Sequence, residues 1–150
     1  PKLDMLVVPA VDWCGVFKKE DEARFVAGQQ FLGGSFTWDP VEKSSGRLTA
    51  VKATTGKELW RYHSKRPMLA SVTATSGDML FTGELNGDFL AMDARNGNVV
   101  YRYSGGGAIV GGVITYAVDG KQYVAVVSGM AAGFWLGPAG SMTVTVFALP

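Results

Sequence analysis

The side chains able to do chemistry are few and scattered. One histidine, His63, and one cysteine, Cys14, exclude a His-rich metal centre, a multi-Cys zinc site and an internal disulfide framework. His63 has no base or nucleophile at a recognisable spacing, so it reads as an exposed loop residue rather than a general base. Cys14 stands among apolar neighbours and reads as a buried, inert thiol. Arg61, His63, Lys65 and Arg66 form a basic cluster that suits an acidic partner or lipid headgroups, and more simply a solvated loop. Lys18, Lys19, Glu20, Asp21 and Glu22 read as a solvated surface turn. Gly105, Gly106 and Gly107, followed by Gly111 and Gly112, superficially resemble a phosphate-cradling loop. They lack the Lys-Ser/Thr that should follow and open onto a strand, so the phosphate reading is weak. No Ser–His–Asp or paired-carboxylate constellation stands out.

These residues must be held by a scaffold that composition narrows. The chain has 150 residues, 47% hydrophobic and 18% charged, as in an ordinary globular domain. Fourteen basic and thirteen acidic side chains leave a net charge of +1, which gives no general grip on nucleic acid or anionic membrane. No window supplies the ~18 apolar residues of a spanning helix, and no secretory leader is visible in PKLDMLVVPAVDW. The 20 glycines punctuate short β-branched and aromatic runs: SVTAT, MLFTGEL, DFLAMDA, VVYRY, GGVITYAV, KQYVAVVSG and SMTVTVFAL. Several runs are apolar on both faces, as where sheets stack on sheets. Only residues about 18 to 30 have any helical character, and Gly28 weakens it. The chain is predicted to be all-β.

An internal repeat sharpens this. Gly46–Tyr62 (GRLTAVKATTGKELWRY) and Gly87–Tyr103 (GDFLAMDARNGNVVYRY) align at an offset of 41 residues with six of 17 positions identical. A period of about 41 in short strands predicts four-stranded antiparallel propeller blades, against the alternative of a β-sandwich with two similar hairpins. Ala50 and Ala91 then permit close approach inside a blade. Gly56 and Gly97 take the positive φ of the turn between the third and fourth strands, and Trp60 and Tyr101 stack on the neighbouring blade. Repeat units near 46–86 and 87–127, with closing strands to 150, give a single partial propeller of about three blades. Propellers close with roughly four to eight blades. We therefore expect a piece of a longer protein, or a chain that assembles with other copies.

The cassette Ala50-Val-Lys-Ala-Thr-Thr-Gly56-Lys-Glu-Leu-Trp60 resembles the tryptophan-docking motif, A-x-D-x-x-T-G-x-x-x-W, of pyrroloquinoline quinone (PQQ) dehydrogenases. The second copy, Ala91 to Tyr101, carries the Asp at position 93 and replaces the Thr and the Trp. VPAVDWC resembles the segment that enters the channel of quinoprotein alcohol and methanol dehydrogenases. LFTGELNGDFLAMDA and GGVITYAVDGKQYVAVVSG resemble their closing blades. The resemblance spans nearly the whole chain and matches the C-terminal quarter or third of such an enzyme. It implies an eight-bladed propeller holding PQQ and a calcium or lanthanide ion, periplasmic oxidation of a primary alcohol, and a cytochrome as electron acceptor.

The resemblance places the family's catalytic Asp, metal ligands and vicinal disulfide in earlier blades, so this chain alone is expected to lack them. It implies instead a stretch of cofactor-pocket wall and ring closure. Many members place an Asn in the VPAVDWC segment as a donor to the quinone; here Val11 and Asp12 stand there. Trp13 either lines the channel or is a core aromatic. Leu69 stands where methanol dehydrogenases carry a Trp under the PQQ plane. Gly133 and Trp135 fall on their Gly-Gly-Trp loop, either as pocket wall or as an anchor that seals the closing blade. The glycine run from 105 to 112 borders the channel in that family. The rival reading is a non-catalytic propeller scaffold for protein binding, as in outer-membrane assembly lipoproteins.

Overall fold

The structure, a computed structural model, describes residues 2–129 and 140–148. The described residues form twelve strands, β1 (Met5–Asp12), β2 (Gly15–Lys19), β3 (Gly34–Trp38), β4 (Ser45–Lys52), β5 (Glu58–Ser64), β6 (Thr73–Ala74), β7 (Met79–Gly83), β8 (Asp88–Asp93), β9 (Val99–Ser104), β10 (Val113–Val118), β11 (Lys121–Ser128) and β12 (Thr143–Ala148). A single 3₁₀ turn, Val41–Lys43, precedes β4. No α-helix occurs among the described residues, and residues 18 to 30 hold the end of β2 and an irregular connection.

All pairings are antiparallel, in three main sheets: β1-β4-β5, β6-β7-β8-β9 and β10-β11-β12. The hairpin β2-β3 is a separate two-stranded insertion between β1 and β4. The two cassettes superpose in detail. Ala50 pairs with Trp60 and Ala91 with Tyr101, and each ladder slips just after its alanine. Each slip leads to a turn in which the glycine N–H donates to a carbonyl four residues back, Gly56 to Lys52 and Gly97 to Asp93, both at 2.8 Å. Both glycines have positive φ, 70° and 75°, where a side chain would be strained. A repeat drawn from Gly46 or Gly87 therefore begins on the last two strands of one sheet and runs into the next.

Why several strands lack alternation follows from the stacking. The middle sheet is covered on both faces. Leu80, Leu90 and Met92 pack towards Leu48 and Met68 of the first sheet and its connection. Phe81 and Phe89 pack towards Ile109, Val113, Val124 and Val126 on the other side. Burying each such side chain is worth about 1.5–3 kcal/mol, so these two seams hold the described sheets together. The outer faces of the first and third sheets stay open. Leu6 is 57% exposed on one, and Ile114 and Val144 are 58% and 65% exposed on the other.

Candidate functional site

The connections at one end of the sheets meet at backbone distance, and they contain Trp13, Leu69 and the glycine run. After β1 comes the turn with Trp13; after β5, residues 65–72; between β7 and β8, residues 84–87; after β9, the glycine run; after β11, Gly129. A Cβ on Gly46 would lie 2.5 Å from the Arg66 carbonyl and 3.1 Å from that of Ala10, which fixes the end of β1 beside the β5–β6 connection. Leu85 N–H donates to Pro67 O at 3.2 Å, Ile109 N–H to Glu84 O at 3.3 Å, and Gly129 N–H to Ala108 O at 2.9 Å. Gly87, Gly107, Gly129 and Gly140 interlock: a Cβ on Gly87 would meet Gly107 O at 2.7 Å, and one on Gly107 would meet Gly129 Cα at 2.6 Å. Within the glycine run it is Gly107 that serves close backbone packing between connections, whereas Gly106, Gly111 and Gly112 have open space about them.

Asp12 is exposed at the end of β1, with its Oδ2 3.5 Å from Arg47 Nη1. An ionised carboxylate only accepts hydrogen bonds, whereas an Asn amide also donates them. Trp13 is half-buried, donates Nε1–H to Asp39 O at 2.8 Å, and lies 5.0 Å from the Trp38 ring. It is thus tied to the inserted hairpin and the residue that follows it. Leu69 is half-buried in the β5–β6 connection. Asp12, Trp13 and Leu69 share one end of the sheets, each with its own surroundings. Gly133 and Trp135 lie outside the described residues.

Two expectations are corrected. Cys14 is exposed, because the turn after β1 leads away from the main sheets into the hairpin. The basic residues after Trp60 do not form one loop cluster. Arg61 and His63 stand exposed on β5, where Arg61 pairs with Glu58. Arg66 is half-buried in the following connection and donates Nη1–H to Val41 O at 3.0 Å.

Sequence reasoning gave no role to a polar cluster between the first two sheets. Glu84 is buried at the start of the β7–β8 turn. Tyr62 donates its hydroxyl to Glu84 Oε1 at 2.9 Å, Arg102 Nη1 reaches Glu84 Oε2 at 2.8 Å, and Arg102 Nη2 donates to Tyr62 Oη at 2.9 Å. Asp88 joins through Arg102 and Ser104. Burial, together with the Glu84 carboxylate, pushes the Tyr62 phenol up. For Asp88 burial acts upward, and hydrogen bonds from Ser104, Arg102 and Asn86 outweigh it, holding the carboxyl below its usual range. The signal in the sequence is the Arg-Tyr pair repeated at 61–62 and 102–103.

Residues 44–133 match the PQQ-repeat family described as outer membrane protein assembly factor BamB. The chain belongs to the PQQ-repeat propeller family. Quinoprotein alcohol dehydrogenase PedH of Pseudomonas putida is 35% identical over 126 residues, 83% of this chain and 21% of the relative. The lanthanide-dependent methanol dehydrogenase of Methylacidiphilum fumariolicum is 31% identical over 144 residues, 93% of this chain and 23% of the relative. The quinohemoprotein alcohol dehydrogenase of Comamonas testosteroni superposes with a TM-score of 0.82, covering 99% of this chain and 24% of that one at 23% identity, which shows the shared fold. This PQQ-repeat chain is homologous to a segment of quinoprotein alcohol and methanol dehydrogenases and spans about a fifth to a quarter of their length. Its four-stranded sheet β6–β9 is one complete blade, flanked by two three-stranded sheets among the described residues. None of the described helices is long and apolar enough to cross a membrane, and no group of His, Cys, Asp and Glu able to hold a metal ion occurs among the described residues.

Proposed function

We infer that this chain is a stretch of pocket wall and ring closure in a PQQ-dependent dehydrogenase that oxidises primary alcohols. The observation that carries the reading is the convergence, at one end of the sheets, of the turn with Asp12 and Trp13, the connection with Leu69 and the glycine run. The described residues fit PQQ as one side of its surroundings: Leu69 offers apolar surface, Trp13 an indole, and Arg47 a donor beside Asp12. PQQ supplies the two-electron chemistry, and the protein supplies orientation and exclusion of water. Gly133 and Trp135 would extend the same wall. The metal ion, calcium or lanthanide, would be held by parts of the parent outside this chain, in line with the lanthanide-dependent relative.

The partners in this reading are the remaining blades, packed on the open faces of the first and third sheets, or other copies of the chain. A cytochrome is the electron acceptor of the parent, and its address is the periplasm. The test is a PQQ titration of the complete propeller, followed by quinone absorbance. Leu69→Asp or Trp13→Ala should weaken binding by about tenfold or more, the loss of one good contact, whereas Lys57→Ala on the far turn should not. Equal binding by all three variants would contradict the pocket-wall role. The family description favours a second reading, a non-catalytic scaffold for protein–protein interaction; a complete propeller that binds no quinone would select it.

A further inference from the structure

The polar cluster sits where strands become connections. Tyr62 lies two residues before the end of β5, which leads into the connection with Leu69, and Arg102 two residues before the end of β9, which leads into the glycine run. The Glu84 carboxylate joins them, accepting from the Tyr62 hydroxyl on Oε1 at 2.9 Å and from the Arg102 guanidinium on Oε2 at 2.8 Å. The main chain at Glu84 grips the same two connections. Leu85 N–H donates to Pro67 O at 3.2 Å, and Glu84 O accepts from Ile109 N–H at 3.3 Å. The connections also hold each other: Ser71 N–H donates to Gly111 O at 3.2 Å, and Val113 N–H to Ser71 Oγ at 2.9 Å. Pro67, Met68 and Ala70 are buried and Leu69 is half-buried, so Leu69 is the side chain that this stretch offers outward.

We propose that Glu84 is a positioning residue: through Tyr62 and Arg102 it locks the β5–β6 connection and the glycine run in one relative placement, and so fixes Leu69 against the quinone. The inference rests on the pocket-wall reading above and names a residue that acts on that wall through its neighbours. A buried ion pair adds little net stability over an apolar replacement of similar volume, so stability alone gives no reason for a carboxylate here. What the carboxylate supplies is direction. Its two oxygens accept from two elements at once, and the planar guanidinium fork allows only a narrow range of approach. An apolar side chain would fill the seam and leave the two strand ends free to slide. A pocket contact carried on a connection is only as exact as the bonds that hold that connection.

The test uses the complete propeller rather than this chain alone. Without quinone, amide exchange read by mass spectrometry should speed up about tenfold or more across residues 65–72 and 105–112 in Glu84→Ala, through local opening. Glu84→Gln should stay within about twofold of the wild type, because its amide can accept from Arg102 and donate to Tyr62. Gly97→Ala, destabilised at the opposite turn, should leave both segments unchanged. With PQQ, titrated by its absorbance, Glu84→Ala should weaken binding by about fivefold or more, and Glu84→Gln and Gly97→Ala by less than about twofold. In a Leu69→Ala background the Glu84→Ala loss should vanish, because the contact it positions is gone. Tyr62→Phe should move both readouts the same way by a smaller factor, which keeps the test open if the alanine variant fails to fold. Exchange unmoved in Glu84→Ala and Tyr62→Phe would overturn the proposal whatever the quinone does. So would losses that simply add in the Glu84→Ala, Leu69→Ala double variant, the mark of a merely structural residue. Unchanged PQQ affinity in Glu84→Ala, where Leu69→Asp weakens it, would sink the role of Glu84 and leave the wall standing. A wild-type propeller that binds no PQQ would end the wall reading, and this proposal with it.

Discussion

Trp60 of the first sheet rests on Gly97 of the second. A Cβ added to Gly97 would stand 2.5 Å from the indole Cε3, and the indole Nε1–H donates to Ala94 O at 2.9 Å. One residue therefore fills the seam and ties its side chain to the next sheet's turn. The equivalent Tyr101 meets the third sheet differently, edge-on to Phe147 at 6.1 Å, beside an apolar cavity of about 420 Å³.

The two turn glycines should separate the cost of backbone from the cost of contact. Gly56 has φ 70° with nothing within 4 Å of an added Cβ, whereas Gly97 has φ 75° and the indole against it. Gly56→Ala should cost about 1 kcal/mol, the left-handed penalty alone. Gly97→Ala adds overpacking of about 1–3 kcal/mol. Urea unfolding of the two variants checks the difference; equal losses would mean that the Trp60 contact carries no weight.

The polar cluster predicts an asymmetry. Arg102→Ala leaves Glu84 buried with only the Tyr62 hydroxyl, and should cost about 3 kcal/mol or more, as for a broken buried pair. Glu84→Ala leaves Arg102 partly exposed and still paired with Asp88, and should cost less. Tyr62→Phe removes one hydroxyl shared by two charged groups, for about 1–2 kcal/mol. Chemical denaturation of the three variants tests the order.

Stability should fall at both ends of the pH scale. Arg95 side-chain and backbone hydrogen bonds hold the Asp93 carboxyl down at about 2, from the ordinary 3.8, and Asp88 is lowered as well. A carboxyl depressed on folding contributes stability above its unfolded value, and this is lost as pH falls from about 4 towards 2. Tyr62 is raised from 10.0, so its contribution is full below that value and is lost as pH climbs above it. Asp93→Asn should flatten the acid limb and Tyr62→Phe the alkaline one, in thermal melts across pH.

Much of the fold was legible because the cassette repeats its special positions. Ala50 and Ala91 sit at the same ladder slip, and Gly56 and Gly97 in the same turn. The two-faced burial of β7 and β8 showed as runs without alternation. What escaped were contacts between sheets. Glu84, Tyr62 and Arg102 are separated in sequence by a blade or part of one, and nothing local marks Glu84 as buried. Cys14 was misread because its apolar neighbours belong to strands that turn into an exposed hairpin, so the local pattern mimics a core. Its exposure predicts rapid alkylation by a maleimide in the folded chain; a thiol that reacts only on unfolding would restore the buried reading.

These sheets are part of a larger propeller, and its neighbouring blades are expected to cover the open faces around Leu6, Ile114 and Val144. Contiguous exposed apolar area of that kind marks an interface. The direct measurement is the light-scattering mass of the purified 150-residue chain, read with an environment-sensitive hydrophobic dye. We predict self-association, with strong dye uptake that disappears when the chain is part of the complete propeller. A monodisperse monomer that takes up no dye would contradict the account.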